Sequence, residues 1–329
     1  MTTENLNWKE KWGKSDAVRY LYRETSKRSG GGLSTLSMMA DACQCLVKYG
    51  ATFHDYINLR FYLRDAAARD TFLTTQMVKQ EKAKWPKAAY DQIDNKGSFN
   101  ELFSDFAGRE WIDIDKADFD QFTEFIGRHP VFFIKPKRES SGIGIRKCDS
   151  SQFTEAQIRE VYDNKGCLIE EVMIPHEKLL ALNPNSVSFA RVVTVVGTKS
   201  IHILAATLRT GGKANVSFNT AKDDCFSQID IETGICMTDG VDEDGIEHKT
   251  HPVSGIPFKG FEMPHWNQVT EACLIAAGRA KDVRVIGWDV AILEDRVAFF
   301  EGNPGSGVAS MQIADGIGKK QLFYSYLED

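Results

Sequence analysis

The chain has no apolar stretch approaching the length of a membrane span and no charged-then-apolar leader, so a cytoplasmic protein with no membrane partner is expected. It also lacks a long basic run: 40 lysines and arginines are outnumbered by 46 acidic residues, for a formal charge of −6. General electrostatics would therefore not hold a nucleic-acid backbone, and no nucleic-acid partner is expected. The seven cysteines are odd in number, scattered, and without the C-x-x-C pair that zinc sites use. Cys43 and Cys45 lie close in sequence, but nothing nearby completes a ligand set, so all seven read as free thiols. Missing too are the Walker pattern G-x-x-x-x-G-K-[ST], the dinucleotide fingerprint G-x-G-x-x-G, any internal repeat and any low-complexity linker. What is there is an ordinary globular composition, 42% hydrophobic and 26% charged over 329 residues, enough for two or three lobes with a substantial core.

Residues 1 to about 90 read as helical, over 17–25, over 33–49 after the Gly30-Gly31-Gly32 break, and over 55–80. Met38, Met39, Leu46 and Val47 fall at helical spacing, which fits core more readily than a partner-binding face. Past the polar turn around Asp91 to Lys96 an amphipathic run begins, placing Lys96 near a helix start. The helix dipole disfavours positive charge there unless the lysine has another task, such as binding phosphate, or is simply solvated. From His129 the character turns to β. The apolar strand Val131 to Ile134 runs into Lys135 and then a loop of small residues, Ser140, Ser141, Gly142 and Gly144, whose backbone can approach an anion closely or merely form a hairpin turn. A short helix over 154–162 precedes a strand over 167–173. Glu170 and Glu177 stand seven residues apart with Pro175 between them, able to offer acceptors to an exocyclic amine and to ribose hydroxyls, or to sit as surface carboxylates. Two central strands follow, 189–196 and 201–209. Arg191 lies among apolar neighbours, where a guanidinium must be paired or face a ligand, and His202 reads as a hydrogen-bonded core histidine. The polar segments 214–230 and 239–248 read as loops able to act as lids, and 267–280 as an amphipathic helix.

Two apolar runs near the end, 285–293 and 297–304, are separated by the charged triplet Glu294-Asp295-Arg296 and read as a hairpin. Glu301 and Asn303 share one face of the second strand. A three-residue turn would place Asp289 directly opposite Glu301 on that face. Carboxylates that close raise each other's pKa unless a hard cation such as Mg²⁺ lies between them; the alternative is pairing with Arg284 or a lysine.

In their order and spacing these pieces resemble the ATP-grasp superfamily, most closely its sugar-transfer-associated branch, from about Asp94 to the C terminus. The carriers are Asn95-Lys96 before a helix, Phe133-Ile134-Lys135-Pro136 with Ser140-Ser141-Gly142-Ile143-Gly144, Ile169-Glu170-Glu171 with Leu182 to Val187, Arg191 to Thr194, His251 to Gly255, Gly287-Trp288-Asp289-Val290 and Glu301-Gly302-Asn303-Pro304. The resemblance implies an α+β, ATP-grasp fold of two lobes clasping ATP, with a helical region at 1–90, a small nucleotide lobe at about 91–172 and a large metal-binding lobe at about 173–329. It implies Lys96 and Lys135 on the α and β phosphates and the loop from Ser140 to Gly144 over the phosphate tail. Glu170 and the backbone of Glu171 and Met173 would hold adenine, and Glu177 the ribose. Asp289, Glu301 and Asn303 would carry Mg²⁺, with Mn²⁺ an allowed substitute, and Arg191 would meet the transferred phosphate or the acyl intermediate. The sequence departs from the branch's pattern where Asn219 is followed by Asp223-Asp224 in place of Gly-Gly, and where Ser188-Phe189 replaces Asn-Thr. The activity implied is a carboxylate–amine ligase working through an acyl phosphate and releasing ADP and phosphate. Its partners would be ATP, a small carboxylate and an amine, and a homo-oligomer is compatible with the sequence. A small-molecule or sugar kinase on the same fold, or a nucleotide-binding module without turnover, are the alternatives.

Overall fold

The computed structural model describes residues 14–29, 34–139, 143–212, 224–242, 245–305 and 309–329. Its N-terminal part is helical, with Lys14–Arg28, Thr35–Tyr49, Phe53–Asn58, Ala66–Asp70 and Thr75–Lys82. Ser34 caps the second helix through a reciprocal capping box with Ser37, and Gly50 ends it in a left-handed turn. The single helix expected over 55–80 is broken into pieces. Arg60 takes a positive φ of 52°, Asp65 caps the next helix through Ala68 N–H, and the Thr74 hydroxyl turns back to the Tyr49 carbonyl. Local capping outcompetes helix propagation in this stretch. Leu21, Ala42, Cys45, Tyr56, Phe61 and Phe72 make its separate core.

Two antiparallel sheets follow. The small sheet has the order β1 (Trp111–Asp113), β4 (Cys167–Glu171), β2 (Val131–Pro136), β3 (Arg146–Asp149). The helices Phe119–Arg128 and Glu155–Asp163 pack on one side of it through Phe122, Phe125, Ile126, Ile158 and Val161. The large sheet has the order β11 (Val297–Pro304), β10 (Val285–Ile292), β5 (Phe189–Val196), β6 (Ile201–Gly211), β7 (Asp224–Ile229), β8 (Gly240–Asp242), β9 (Glu247–His248). Its core face carries Ala190, Val192, Leu208 and Trp288, and packs on helix Trp266–Arg279 through Val269, Cys273 and Ala276. The Trp288 indole N–H is satisfied by the Thr194 hydroxyl at 2.8 Å, which lets so large a polar-tipped ring be fully buried.

Two polar stretches and one histidine differ from expectation. Residues 224–229 are a buried strand, because Ser227 and the Gln228 backbone bond to Thr238 and satisfy the polar groups that suggested a loop. The 239–248 stretch contributes the short strands β8 and β9. His202 is not a core residue: it stacks on Tyr326 and meets Asp329 Oδ2 at 2.8 Å, part-exposed near the chain's last helix.

The cysteines of the described residues are all free. No helix among the described residues is long and apolar enough to cross a membrane.

Candidate active site

Register on the large sheet aligns one row of polar side chains across five strands: Glu301 on β11 opposite Asp289 on β10, then Arg191 on β5, Thr207 on β6 and Gln228 on β7. Successive members are about 4.8 Å apart along the hydrogen-bonding direction, so the row is one continuous polar track. The pairing of Asp289 with Glu301 arises differently from the three-residue turn expected. Leu293 N–H bonds to the Arg296 carbonyl at 2.8 Å, which closes a two-residue turn. A bulge at Phe300 then shifts the register by one, since Val290 pairs with Phe299 while Asp289 pairs with Glu301. The bulge re-aims Phe300, whose ring lies 5.9 Å from Phe189 and 5.7 Å from Lys135 Nζ.

The face of the β10–β11 hairpin that carries this track has two unlike ends. Towards the turn it is apolar, with Ala291, Leu293 and Ala298 buried and Met173 and Phe300 packed against them. Towards the other end it carries Asp289, Glu301 and Asn303. Asp289 is held by both nitrogens of one edge of Arg191, and Asn303 Nδ2 reaches Gly287 O at 3.3 Å and Asp289 Oδ2 at 3.4 Å. Neither Asp289 nor Glu301 pairs with Arg284, which instead bonds to the Val196 and Leu327 carbonyls and to Glu81, but the lysine alternative holds for Glu301, whose partner is Lys96 at 3.4 Å, and Asp289 pairs with Arg191. Burial pushes the Asp289 carboxyl up and the Glu301 charge adds to this, against Arg191. Glu301 is held below its ordinary range despite burial, by Lys96, Arg191 and Lys135.

Lys96 opens helix Lys96–Leu102, whose N-terminus is capped by Asn95 Oδ1 accepting from Gly97 and Ser98. Its ammonium is engaged rather than free in solvent: the side chain is 12% exposed, 3.4 Å from Glu301 and hydrogen-bonded to the Glu139 carbonyl at 2.6 Å. Those contacts offset the unfavourable dipole at that position.

Lys135, at the end of β2, is buried and 2.6 Å from Glu170 Oε2. Glu170 is more heavily engaged than its sequence context suggests. Arg109 Nε meets Oε2 at 2.7 Å, Arg109 Nη2 meets Oε1 at 2.9 Å, and Asn100 Nδ2 approaches Oε1 at 3.4 Å. With both side chains 1% exposed, the Arg109–Glu170 pair is an interior ion pair, and the carboxylate's acceptor positions are filled. Burial acts to raise the Glu170 pKa, but the charges of Arg109 and Lys135 outweigh it and hold the carboxyl far below its usual range. Burial pushes the Lys135 ammonium down, against the pull of Glu170. Glu170 thus orients Lys135 rather than offering a free acceptor to a base.

The remaining expected residues follow the chain out of the small sheet. Glu171 bonds to Glu110 through its backbone N–H and its carboxylate, each at 3.0 Å. Met173 packs on the apolar end of the hairpin face, and Glu177 opens helix Glu177–Leu182 with an exposed side chain. Gly144 has φ +75°, and a Cβ there would lie 2.8 Å from Pro136 Cγ, so the loop after β2 requires glycine. Ser140, Ser141 and Gly142 lie outside the described residues. Arg109 and Phe300 were not singled out from sequence. A lone arginine in a loop and a phenylalanine in an apolar strand carry no periodic signal; the ion pair and the bulge exist only in three dimensions.

For a divalent cation the fit is one of donor chemistry. Two facing carboxylates and a side-chain amide are hard oxygen donors of the kind Mg²⁺ takes. Among the described residues no three His, Cys, Asp or Glu side chains gather as a cage, so the rest of the coordination would come from phosphate oxygens and water.

A family model described as sugar-transfer associated ATP-grasp matches residues 70–324. The chain belongs to that family. Solved structures of ATP-grasp proteins are similar to this ATP-grasp chain at low identity. One is the ATP-grasp ligase PsnB complexed with minimal precursor, at 14% identity and TM-score 0.46, covering 82% of this chain and 72% of that one. Another is the VanG D-Ala:D-Ser ligase of Enterococcus faecalis, at 12% identity and TM-score 0.47, covering 74% and 63%. A third is the D-alanyl-alanine synthetase A of Vibrio cholerae, at 13% and 0.42, covering 68% and 58%. No curated protein sequence matches. The α+β architecture of two antiparallel sheets with a helical N-terminal region is the ATP-grasp fold.

Proposed function

We propose that this ATP-grasp protein is an ATP-dependent carboxylate–amine ligase. The observation that carries the reading is the two-ended face of the β10–β11 hairpin, with Lys96 and Lys135 directed at it. The apolar end, Met173, Ala291, Leu293, Ala298 and Phe300, suits a purine ring. The charged end, Asp289, Glu301 and Asn303, suits a metal–triphosphate, and Lys135 stands between the two. In this reading Lys96 and Lys135 contact the phosphates, and the loop from Ser140 to Gly144 covers the phosphate tail. The connector at Glu171 and Met173 borders the base, and Glu177 takes the ribose. Mg²⁺ held by Asp289, Glu301 and Asn303 would neutralise charge on the phosphate oxygens.

The chemistry needs no enzyme nucleophile. A substrate carboxylate oxygen attacks the γ-phosphorus and ADP leaves. An amine nitrogen then attacks the acyl carbon, the carbon–oxygen bond to phosphate breaks, and the amine's proton passes to solvent. Arg191, one strand from Asp289, supplies a planar pair of donors for the oxygens of the transferring group. Lys135, oriented by Glu170, and Lys96 hold ADP as the leaving group. The division of work is positioning and electrostatics.

A phosphate assay tests this. A ligase releases free phosphate only when an acid and an amine are both supplied. A phosphorylated hydroxyl product would establish a kinase instead, and binding of ATP without any turnover across acids, amines and alcohols would establish a binding module.

A further inference from the structure

The polar track extends past the metal end of the hairpin to β6 and β7. There a second ion pair stands on the same face, between Arg209 on β6 and Asp224 at the start of β7, at 3.0 Å. Strand alternation puts Asp224 and Gln228 on one face of β7, and Gln228 shares the cross-strand row of Arg191 and Asp289. Arg209 is fixed in place by two rings, with its guanidinium carbon 5.7 Å from the Phe189 centroid and 4.9 Å from that of Phe226.

The two ion pairs on this face differ in kind. Asp289 has both oxygens occupied by Arg191, whereas Asp224 accepts through Oδ2 alone and its Oδ1 has no hydrogen-bond partner among the described residues. The Asp224 side chain is 22% exposed, against 7% for Asp289. Along the same face, Gln228 is 3% exposed and its Oε1 has no hydrogen-bond partner among the described residues. A buried acceptor left unmet is costly, and a ligand N–H is one way to meet it. Two acceptors thus lie beyond Arg191, on the side of it away from Asp289 and Glu301.

We propose that Asp224 is the specificity-determining residue of the amine subsite: its Oδ1 takes the ammonium of a primary-amine substrate, which gives up one proton to solvent before its nitrogen attacks, and Arg209 is the positioning residue that aims it. The inference rests on the ligase reading and goes further, naming the chemical class of the acceptor and the residue that selects it. Arg191 handles the anionic partner in the middle of the track, and Asp224 holds the cationic one at its far end. An alcohol or an N-acylated amine lacks the charge that Asp224 reads, so the subsite selects against both.

The test uses the full chain with Mg·AMPPNP and, as probes, the twenty L-amino acids, putrescine and spermidine, each titrated calorimetrically. At least one probe is expected to bind, and its N-acetyl derivative not to. Asp224→Asn should weaken that probe by about 10- to 100-fold, the loss of one charge-assisted hydrogen bond. Asp224→Glu should recover part of the loss. Mg·AMPPNP affinity should be unchanged in both variants, which also reports that they fold. Equal probe affinity in wild type and Asp224→Asn, or equal binding of the acetylated probe, would overturn the assignment. Absence of binding by every probe to protein that takes Mg·AMPPNP would also overturn it while leaving the nucleotide site standing. Failure to bind Mg·AMPPNP would instead overturn the ligase reading itself.

Discussion

Arg109 donates from Nη1 to the carbonyl of Phe299 at 2.8 Å, and through its other nitrogens it grips both oxygens of Glu170. One guanidinium therefore ties β4 of the small sheet to β11 of the large one, two residues from Glu301. The approach is tight on both sides. Gly108 sits at φ +62° against β11, where a Cβ would lie 2.3 Å from that of Ala298, and Arg296 Nη2 donates to the Gly108 carbonyl at 3.0 Å. The small-sheet lysine and the large-sheet carboxylates are held in register by this joint.

Arg109→Ala should destabilise the protein by about 3–5 kcal/mol, because it strands a buried carboxylate with Lys135 and Asn100 as its remaining partners. Urea unfolding measures this directly. A loss below about 1 kcal/mol, the range of exposed pairs, would show the joint to be incidental.

Glu170 should also govern the acid limb of stability. Its carboxyl is held far below the unfolded value by Arg109 and Lys135. Between the folded and unfolded pKa the unfolded chain binds the extra proton, so stability rises with pH through that window. The stabilisation is complete above about pH 4.3, the ordinary glutamate value, and is lost as pH falls towards the folded pKa. Glu170→Gln should lower the urea midpoint at pH 7 and make it less steep with pH below about 5. A mutant with the wild-type slope over pH 3–6 would contradict the assignment.

Lys135→Ala should leave the fold standing, since Glu170 keeps Arg109 and Asn100. It should weaken ATP by about 1.5–3 kcal/mol, the range for a hydrogen bond to a charged group. Calorimetric titration showing wild-type affinity in a folded mutant would remove Lys135 from the nucleotide site.

The hairpin that carries Asp289, Glu301 and Asn303 was legible because alternation and a charged turn survive any tertiary context. Its register came out as expected through two changes that cancel, a turn one residue shorter and a bulge at Phe300. The start of β7 was hidden for the opposite reason. Asp224, Ser227 and Gln228 look like loop residues until Arg209 and Thr238 are there to pair with them. The Asp223-Asp224 departure was visible in the sequence, but not its consequence, a carboxylate facing an arginine on the neighbouring strand. Glu170 stood out in the sequence as a candidate, whereas its saturation by Arg109 depends on a loop 61 residues earlier, which no local pattern encodes. The breaks within 55–80 turned on single capping side chains, weak signals against a long run of helix formers.

Glu301→Gln and Asp289→Asn should separate two roles that share one row. Glu301 has a side chain 27% exposed and a loose 3.4 Å contact with Lys96, so its neutralisation should change the stability of the ligand-free protein by no more than about 1 kcal/mol. Relief of the charge it presents to Asp289 offsets part even of that. Asp289 is 7% exposed and is the bidentate partner of Arg191, so Asp289→Asn leaves a buried guanidinium without its counter-charge and should cost about 3–5 kcal/mol. Both changes should sharply reduce the extra thermal stabilisation that Mg·ATP gives beyond ATP alone, because each replaces an anionic oxygen donor by a neutral amide oxygen and takes one negative charge from the cation's surroundings. Thermal unfolding of both mutants, without ligand, with ATP and with Mg·ATP, reads all of this in one series. A wild-type Mg²⁺ increment in Glu301→Gln would place the metal elsewhere, and an apo midpoint as low as that of Asp289→Asn would make Glu301 a structural partner of Lys96.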